Sequence, residues 1–228
     1  MDRPERAPWL YTFCRRVFRA WLTLAHGYRS HGRERVPRTG PFVLATNHAS
    51  YLDPMVAGCA LYFRHIRFMA RDTLAHSRLL GWWMRQVGAV LIDRSRGDVA
   101  GLKESLRVLR QGGVICLFPE GTRTTTGRLQ PPKGGVGFLI AKAGVPVVPA
   151  YVSGTFRVMP KGVHWPRPGR VAVRYGEPIR PEDWAGFGAG RDAFDKIGAL
   201  VMDRIAALQQ EAGDAPPSPA APHPEPSP

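Results

Sequence analysis

The chain has 228 residues, 44% of them hydrophobic, which is enough to bury the core of one domain. Its formal net charge of +14 indicates an anionic partner, such as phospholipid headgroups, a phosphorylated substrate or nucleic acid. Cys14, Cys59 and Cys116 are odd in number and widely spaced, so neither a disulfide framework nor a zinc site is predicted. We expect no cleavable signal peptide and no bilayer-spanning segment.

The first predicted element is a helix between Pro8 and Gly27. At about 100° per residue its polar side chains fall on one narrow arc, which comprises Thr12, Arg15, Arg16, Arg19, Thr23 and His26. The remaining arc is apolar and contains two tryptophans, a pattern typical of a helix in a membrane interface. A helix docked on the protein's own core would show a similar pattern, and one helix can do both. Residues 1–29 are therefore predicted to be an amphipathic, membrane-associating segment.

From residue 42 onward, short β-prone runs alternate with helical periods, which is typical of βα units. Strands are predicted at 42–46, 66–70, 88–92, 114–118, 147–152 and 170–175. Helices are predicted at 54–62, 73–86, 98–111, 135–143 and near 190–210. The pattern predicts an α/β fold, with residues 30–210 forming a single domain whose mixed central sheet is flanked by helices. The proline-rich segment 211–228 is predicted to be a disordered tail.

A histidine and a carboxylate, His48 and Asp53, follow the first core strand five residues apart. A turn of this length can fold them together. A neutral imidazole is suited to take a proton from an acceptor alcohol, and a carboxylate on its other ring nitrogen would fix the tautomer. Asp53 before Pro54 also has the pattern of a helix N-cap. Ser50 as a hydrolase nucleophile is the other alternative, although no Gly-x-Ser-x-Gly sequence surrounds it.

A second polar segment follows the predicted strand 114–118. Ligands of open α/β sheets bind beyond the carboxyl ends of strands, so Arg123 and Lys133 are candidates to hold a phosphate there. Glycines such as Gly121 would let backbone amides approach that phosphate. Glu120 is a candidate to anchor Arg123 or to bind a substrate hydroxyl. An ordinary surface turn with solvated charges would have the same composition.

Together these two segments resemble the glycerophospholipid acyltransferase family, typified by bacterial 1-acyl-sn-glycerol-3-phosphate acyltransferases. Residues 47–53 match every fixed position of its Asn-His-x-Ser-x-x-Asp block, and residues 118–123 match its Phe-Pro-Glu-Gly-Thr-Arg block. Residues 88–94 are similar to the family's second block, a glycine followed by apolar residues and an arginine. Residues 145–149 are similar to its fourth block, an apolar Val-Pro-x-x-Pro strand. The resemblance covers about residues 30–180.

The loop after residue 123 departs from the family pattern at Thr124 and at Pro131–Pro132, just before Lys133. The resemblance nevertheless implies a general base, His48, and its partner, Asp53. It further implies a set of substrate-binding residues: Arg94, Glu120, Gly121, Thr122, Arg123 and Lys133.

The resemblance implies acyl transfer from acyl-CoA or acyl carrier protein to the sn-2 hydroxyl of 1-acyl-sn-glycerol-3-phosphate. No metal or other cofactor is expected. The expected location is the cytoplasmic face of the cell membrane, as a peripheral or monotopic protein. The alternatives are the same chemistry on a lyso-ornithine lipid, another lysophospholipid or glycerol-3-phosphate, or a noncatalytic lipid-binding protein. No specific nucleic-acid partner is expected, because the sequence has no recognised nucleic-acid motif.

Overall fold

The structure is a computed structural model that describes residues 8–71, 81–82, 90–92 and 99–214. Its helices are α1 (Trp9–His26), α2 (Asp53–Cys59), α3 (Val99–Arg110), α4 (Gly134–Ala143), α5 (Thr155–Val158) and α6 (Arg191–Glu211). Its strands are β1 (Arg29–His31), β2 (Phe42–Thr46), β3 (Ile66–Arg71), β4 (Val90–Ile92), β5 (Val114–Leu117), β6 (Val147–Ser153) and β7 (Ala172–Tyr175). Two 3-10 turns lie at Arg33–Arg35 and Pro181–Phe187.

The seven strands form one mixed sheet in the order β1-β7-β6-β2-β5-β3-β4. Strands β6, β2, β5, β3 and β4 are parallel to one another, whereas β7 runs antiparallel to β6 and pairs with β1. This confirms the predicted α/β fold with a mixed sheet. Most of the predicted helix 73–86, the first two residues of the strand 88–92 and the tail from 215 lie outside the described residues.

Four short elements were not predicted: β1, α5 and the two 3-10 turns at Arg33–Arg35 and Pro181–Phe187. Strand β1 has three residues and α5 has four, which is too short for a hydrophobic period to show in the sequence. The N-cap interpretation of Asp53 is also wrong. Helix α2 begins at Asp53, but the Asp53 side chain makes no capping hydrogen bond to that helix.

The central strand β2 is buried along its whole length, so its two sets of side chains supply two core layers. Phe42 and Leu44 pack into the layer that contains α1 and α2. Val43 and Ala45 pack into the opposite layer, with α3, α4 and α6. Because strand side chains alternate between faces, one five-residue run anchors both layers to the sheet.

Helix α1 divides its apolar surface between the core and solvent. Tyr11 and Leu22 are buried against the layer that α1 shares with α2. A second apolar set is exposed and consists of Trp9, Phe13, Val17 and Leu24. The helix ends at Gly27, whose positive φ of 54° lets the amides of Gly27 and Tyr28 close the last turn. Within the described ranges, no helix combines the length and the apolar character needed to cross a bilayer.

Candidate active site

The two polar segments singled out in the sequence lie side by side at one edge of the sheet. Strands β2 and β5 are adjacent and parallel, with Ala45 opposite Leu117, so the residues that follow them emerge at the same carboxyl edge. We call residues 47–53 the histidine loop and residues 118–133 the arginine loop. The site is built where these two loops meet.

The histidine loop is fastened to the sheet at its first residue. The Asn47 side chain donates to the carbonyl of Val152 (2.9 Å) and accepts from the Val152 amide (2.7 Å). These two bonds extend the pairing of β2 with β6 by one residue and leave the following loop in a fixed orientation. His48 is therefore the first residue to project from the sheet edge.

His48 and Asp53 are in direct contact. Nδ1 of His48 lies 3.0 Å from Oδ2 of Asp53, and the Asp53 side chain is completely buried. A carboxylate accepts only, so this geometry favours the tautomer in which Nδ1 carries the proton. Nε2 is then the basic nitrogen, and 18% of the His48 side chain remains exposed. The sequence spacing predicted this contact.

Asp53 is held by three further donors. Its Oδ2 accepts the backbone amides of Ala49 (2.6 Å) and Ser50 (2.7 Å). Its Oδ1 accepts the hydroxyl of Thr155 at 2.6 Å. A buried carboxylate needs such partners to offset the loss of water. Asp53 thus shapes the loop and orients the His48 ring at the same time.

The His48 ring is also fixed from one side by an aromatic residue. Phe118 stacks on it with the ring centroids 3.8 Å apart and an interplanar angle of 20°. Stacking sets the plane of the imidazole, while Asp53 sets its rotation within that plane. The imidazole is held in place by contacts that no ligand has to create.

Ser50 has a structural place rather than that of a nucleophile. Its hydroxyl donates to the carbonyl of Met159 (2.7 Å) and accepts the amide of Leu52 (3.1 Å). The side chain is fully buried. Both hydrogen bonds hold the turn closed, which gives no support to the serine hydrolase alternative.

Glu120 joins the two loops through its carboxylate. Its Oε1 accepts the amide of His48 (2.8 Å) and its Oε2 accepts the amide of Gln130 (3.1 Å). The residue is 1% exposed, and burial raises the pKa of its carboxyl from 4.5 to about 7, against the lowering effect of the two amides. Both carboxylate oxygens are directed at backbone amides, and no ion pair joins Glu120 to Arg123, both of which the structure describes.

Arg123 lies over an aromatic ring of the histidine loop. Its guanidinium carbon is 3.5 Å from the centroid of the Tyr51 ring. Nη1 of Arg123 is buried and has no hydrogen-bond partner in the part of the chain that the structure describes. A buried guanidinium donor without an acceptor is costly, so this N–H group is available to donate a hydrogen bond to an anionic oxygen of a ligand.

The other predicted binding residues occupy the arginine loop, except for one that lies outside the described residues. Gly121 has a positive φ of 67°, and a Cβ there would approach Cγ of Lys133 within 2.8 Å. Lys133 is exposed, and its amide donates to the carbonyl of Pro119 at 2.9 Å. The loop therefore folds back over Gly121 despite the prolines before Lys133. Thr122 is half-buried, and Arg94 lies outside the described residues.

Thr124, where the sequence departs from the family pattern, strengthens the contact between the loops. Its amide donates to the carbonyl of His48 at 2.8 Å, and the residue is buried. The amide of His48 is already bonded to Glu120. Both backbone polar groups of the candidate base are thus satisfied by the arginine loop.

Sequence reasoning missed Thr155, Tyr51 and the stacking role of Phe118. Thr155 reaches Asp53 from 102 positions away, so no local pattern could reveal it. Tyr51 and Phe118 stand inside the two recognised blocks, next to residues that were singled out. An aromatic residue flanking a charged or imidazole side chain is a weak signal, because aromatics most often belong to the core.

Comparison with known proteins places the chain in a family. The model of the family described as Acyltransferase matches residues 27–153, more than half of the chain. The chain belongs to the acyltransferase family. It is an acyltransferase, and the matched range contains the histidine loop and the arginine loop. The family match ends within β6, so Thr155 and the segments after it lie beyond it.

Individual acyltransferases agree with this family assignment. A 1-acyl-sn-glycerol-3-phosphate acyltransferase of Bacillus subtilis is 26% identical over 77% of this chain and 85% of its own length. The corresponding mouse alpha enzyme is 33% identical over 66% of this chain and 54% of its own. The crystal structure of the 1-acyl-sn-glycerophosphate acyltransferase of Thermotoga maritima has a TM-score of 0.68 and 27% identity, covering 88% of this chain and 78% of that one.

Proposed function

We propose that this acyltransferase moves a fatty acyl group from acyl-CoA or acyl carrier protein to the sn-2 hydroxyl of 1-acyl-sn-glycerol-3-phosphate. The observation that carries the proposal is the buried Asp53 carboxylate on Nδ1 of His48, which leaves Nε2 as a base. The names of the relatives support the acceptor, since they describe enzymes acting on that lysolipid.

His48 is the general base in the proposed reaction. Nε2 takes the proton of the acceptor hydroxyl while the hydroxyl oxygen attacks the thioester carbonyl carbon. The new carbon–oxygen bond forms, the carbon–sulfur bond breaks, and the leaving thiolate receives the proton back from His48. Asp53 stabilises the transient imidazolium without leaving its hydrogen bonds. The products are a diacyl lipid and a free thiol, so no cofactor is needed to balance the step.

Arg123 is the proposed contact for the acceptor phosphate. Its buried Nη1 lacks an acceptor among the described residues, and a phosphate oxygen would supply one. Lys133, whose side chain packs over Gly121, would add a second positive charge near the same place. Thr122 and the arginine loop complete the proposed binding surface, together with Arg94.

We also propose that α1 holds the enzyme on the cytoplasmic surface of the cell membrane. Trp9, Phe13 and Val17 are exposed and four residues apart, and Leu24 continues the same face of the helix. An exposed apolar face with tryptophan and flanking arginines is typical of an interfacial helix. The lipid acceptor would reach the site from that surface.

The test is acyl transfer by the purified full chain from long-chain acyl-CoA and from acyl carrier protein, offered a panel of lysolipids. The panel contains lysophosphatidate, other lysophospholipids, a lyso-ornithine lipid and glycerol-3-phosphate. We expect turnover of lysophosphatidate that His48→Ala abolishes, whereas His31→Ala on the exposed β1 keeps it. Turnover of another acceptor alone would overturn the proposed substrate. Absence of turnover with every acceptor would favour a noncatalytic lipid-binding protein.

A further inference from the structure

Residues 159–170, between α5 and β7, form a loop that the proposed catalysis does not use, and we call it the Trp165 loop. It carries three exposed cations, an exposed histidine and an exposed tryptophan: Lys161, Arg167, Arg170, His164 and Trp165. Trp165 is 83% exposed. A tryptophan so exposed to water is unusual in a folded protein, because its ring is costly to hydrate.

The Trp165 loop is built into the fold at both ends. The amide of Arg167 donates to the carbonyl of Val158 at 2.8 Å, which closes the loop on itself. Val158, Met159 and Val163 pack into the core layer that contains α1 and α2. The loop therefore projects from the same face of the sheet as α1, and its tip is held out from a fixed base.

The loop is also joined to the end of α1. Nδ1 of His26, in the last turn of α1, lies 3.1 Å from the carbonyl of Gly169, and the amide of Val171 donates to the carbonyl of His26. Leu24, 88% exposed, lies two residues before His26 in the same turn of α1. The Trp165 loop is thus joined to the end of the helix that carries the exposed apolar face.

The charge of this surface has one sign. No aspartate or glutamate occurs between residues 154 and 176. Lys161, Arg167 and Arg170 are exposed and make no ion pair with any described residue. Uncompensated cations around an exposed indole match a layer of anionic headgroups over an apolar interior.

We infer that the Trp165 loop is a second lipid-contact site, which binds anionic phospholipid headgroups while Trp165 enters the interface. The inference rests on the proposed membrane association of α1. Two contacts on one face fix the orientation of the enzyme, which a single helix lying in the surface does not. The carbonyl of Met159, at the base of the loop, accepts the Ser50 hydroxyl, so the histidine loop is held close to that surface.

A lipid surface fits these observations better than an acidic carrier protein. Cations alone would suit either partner, but the exposed indole is carried by a loop joined to the end of α1, whose own exposed face carries Trp9, Phe13 and Val17. Aromatic rings at one level beside arginines are typical of a membrane interface. Docking of an acyl carrier protein is the alternative that the experiment distinguishes.

The test is binding of the full chain to phosphatidylcholine vesicles with and without phosphatidylglycerol, by co-sedimentation at low salt. The first variant replaces Lys161, Arg167 and Arg170 by glutamine, and the second is Trp165→Ala. A matched control replaces Lys103, Arg110 and Lys142 by glutamine, since these exposed cations lie on α3 and α4 in the opposite layer. Thermal unfolding of every variant checks that the fold is kept.

We expect the loop triple variant to lose roughly 100-fold in affinity for anionic vesicles, at about 5-fold per cation, and the control triple to lose much less. Trp165→Ala should lose affinity for both vesicle types. Equal losses in the loop and control variants would overturn the inference, because net charge alone would then explain binding. Loop variants that bind vesicles as tightly as the wild type would also overturn the inference. A defect confined to turnover with acyl carrier protein would overturn it as well, because the loop would then dock that protein. If the wild type itself fails to bind vesicles, the proposed membrane association fails first.

Discussion

The histidine loop and the arginine loop lie side by side, yet their polar side chains are satisfied to different degrees. All four donors around Asp53 come from the protein itself: His48, Ala49, Ser50 and Thr155. In the arginine loop, Arg123 keeps a buried Nη1 without a partner among the described residues, and Lys133 is exposed. A group that performs chemistry gains from being fixed in advance, whereas a group that binds an anion must keep a donor for it.

The largest expected effects come from breaking the histidine loop. Asp53→Asn should lower kcat by about 10³–10⁴-fold, because the amide favours the wrong imidazole tautomer. His48→Ala should lower kcat by about 10²–10⁴-fold. Only Asp53→Asn should also destabilise the fold, by about 1–3 kcal/mol, since buried amide donors lose an acceptor. Steady-state kinetics and urea unfolding check both variants. Near-full activity in His48→Ala would contradict the proposed base.

The contact between the two loops should depend on pH through Glu120. In the folded protein the pKa of the Glu120 carboxyl is raised to about 7, whereas the ordinary pKa of a glutamate is 4.5. As pH rises, the unfolded chain therefore releases this proton before the folded protein does. The free energy of unfolding should fall by about 1.4 kcal/mol per pH unit between these two pKa values, and by up to about 3 kcal/mol in total. Urea unfolding at several pH values measures this slope.

Glu120→Gln is the control for this pH dependence, because it removes the ionisation and keeps the size of the side chain. Its unfolding free energy should change less with pH than that of the wild type. Its absolute stability is not the diagnostic quantity, since glutamine offers only one acceptor oxygen for two amides. Equal slopes in the two proteins would show that Glu120 does not hold its proton at neutral pH.

The arginine loop should respond in KM rather than kcat. Arg123→Gln is expected to raise the KM for a phosphate-bearing acceptor about 10–100-fold, the loss of a hydrogen bond to a charged group. Tyr51→Leu should raise it only a few-fold, because the cation–π contact merely positions the guanidinium. The measurement is acceptor saturation, with Arg110→Gln as a control of equal charge on α3. A fall in kcat at unchanged KM would contradict a binding role.

Thr155 tests how far the histidine loop depends on the rest of the fold, with an expected effect on kcat smaller than those of Asp53 and His48. Thr155→Val removes the donor to Oδ1 of Asp53 and should lower kcat by roughly 10-fold with KM unchanged, the effect of one hydrogen bond to a carboxylate. Thr155→Ser keeps the hydroxyl and should restore most of the rate. If serine and valine behave alike, the hydroxyl is not what positions Asp53.

Much of the fold followed from local patterns in the sequence. The runs that became β2, β5 and β6 are apolar, β-branched and bounded by polar turns, so their type was readable without tertiary information. Helices α3, α4 and α6 were predicted close to their observed bounds for the same reason. Strand β1 was missed because its three residues are stabilised by pairing with β7, more than 140 residues away in the chain.

The sequence by itself determined the pair at the centre of the site. His48 and Asp53 are five positions apart, and a turn of that length closes through local hydrogen bonds from the amides of Ala49 and Ser50 to Asp53. Only the tertiary structure decided which side chains surround the pair and which part of α1 stays exposed. Three groups contact the histidine loop from segments that follow the neighbouring strands β5 and β6: the Phe118 ring, the Glu120 carboxylate and the Thr155 hydroxyl. Such contacts depend on the order of strands in the sheet, which hydrophobic periodicity along one segment does not encode.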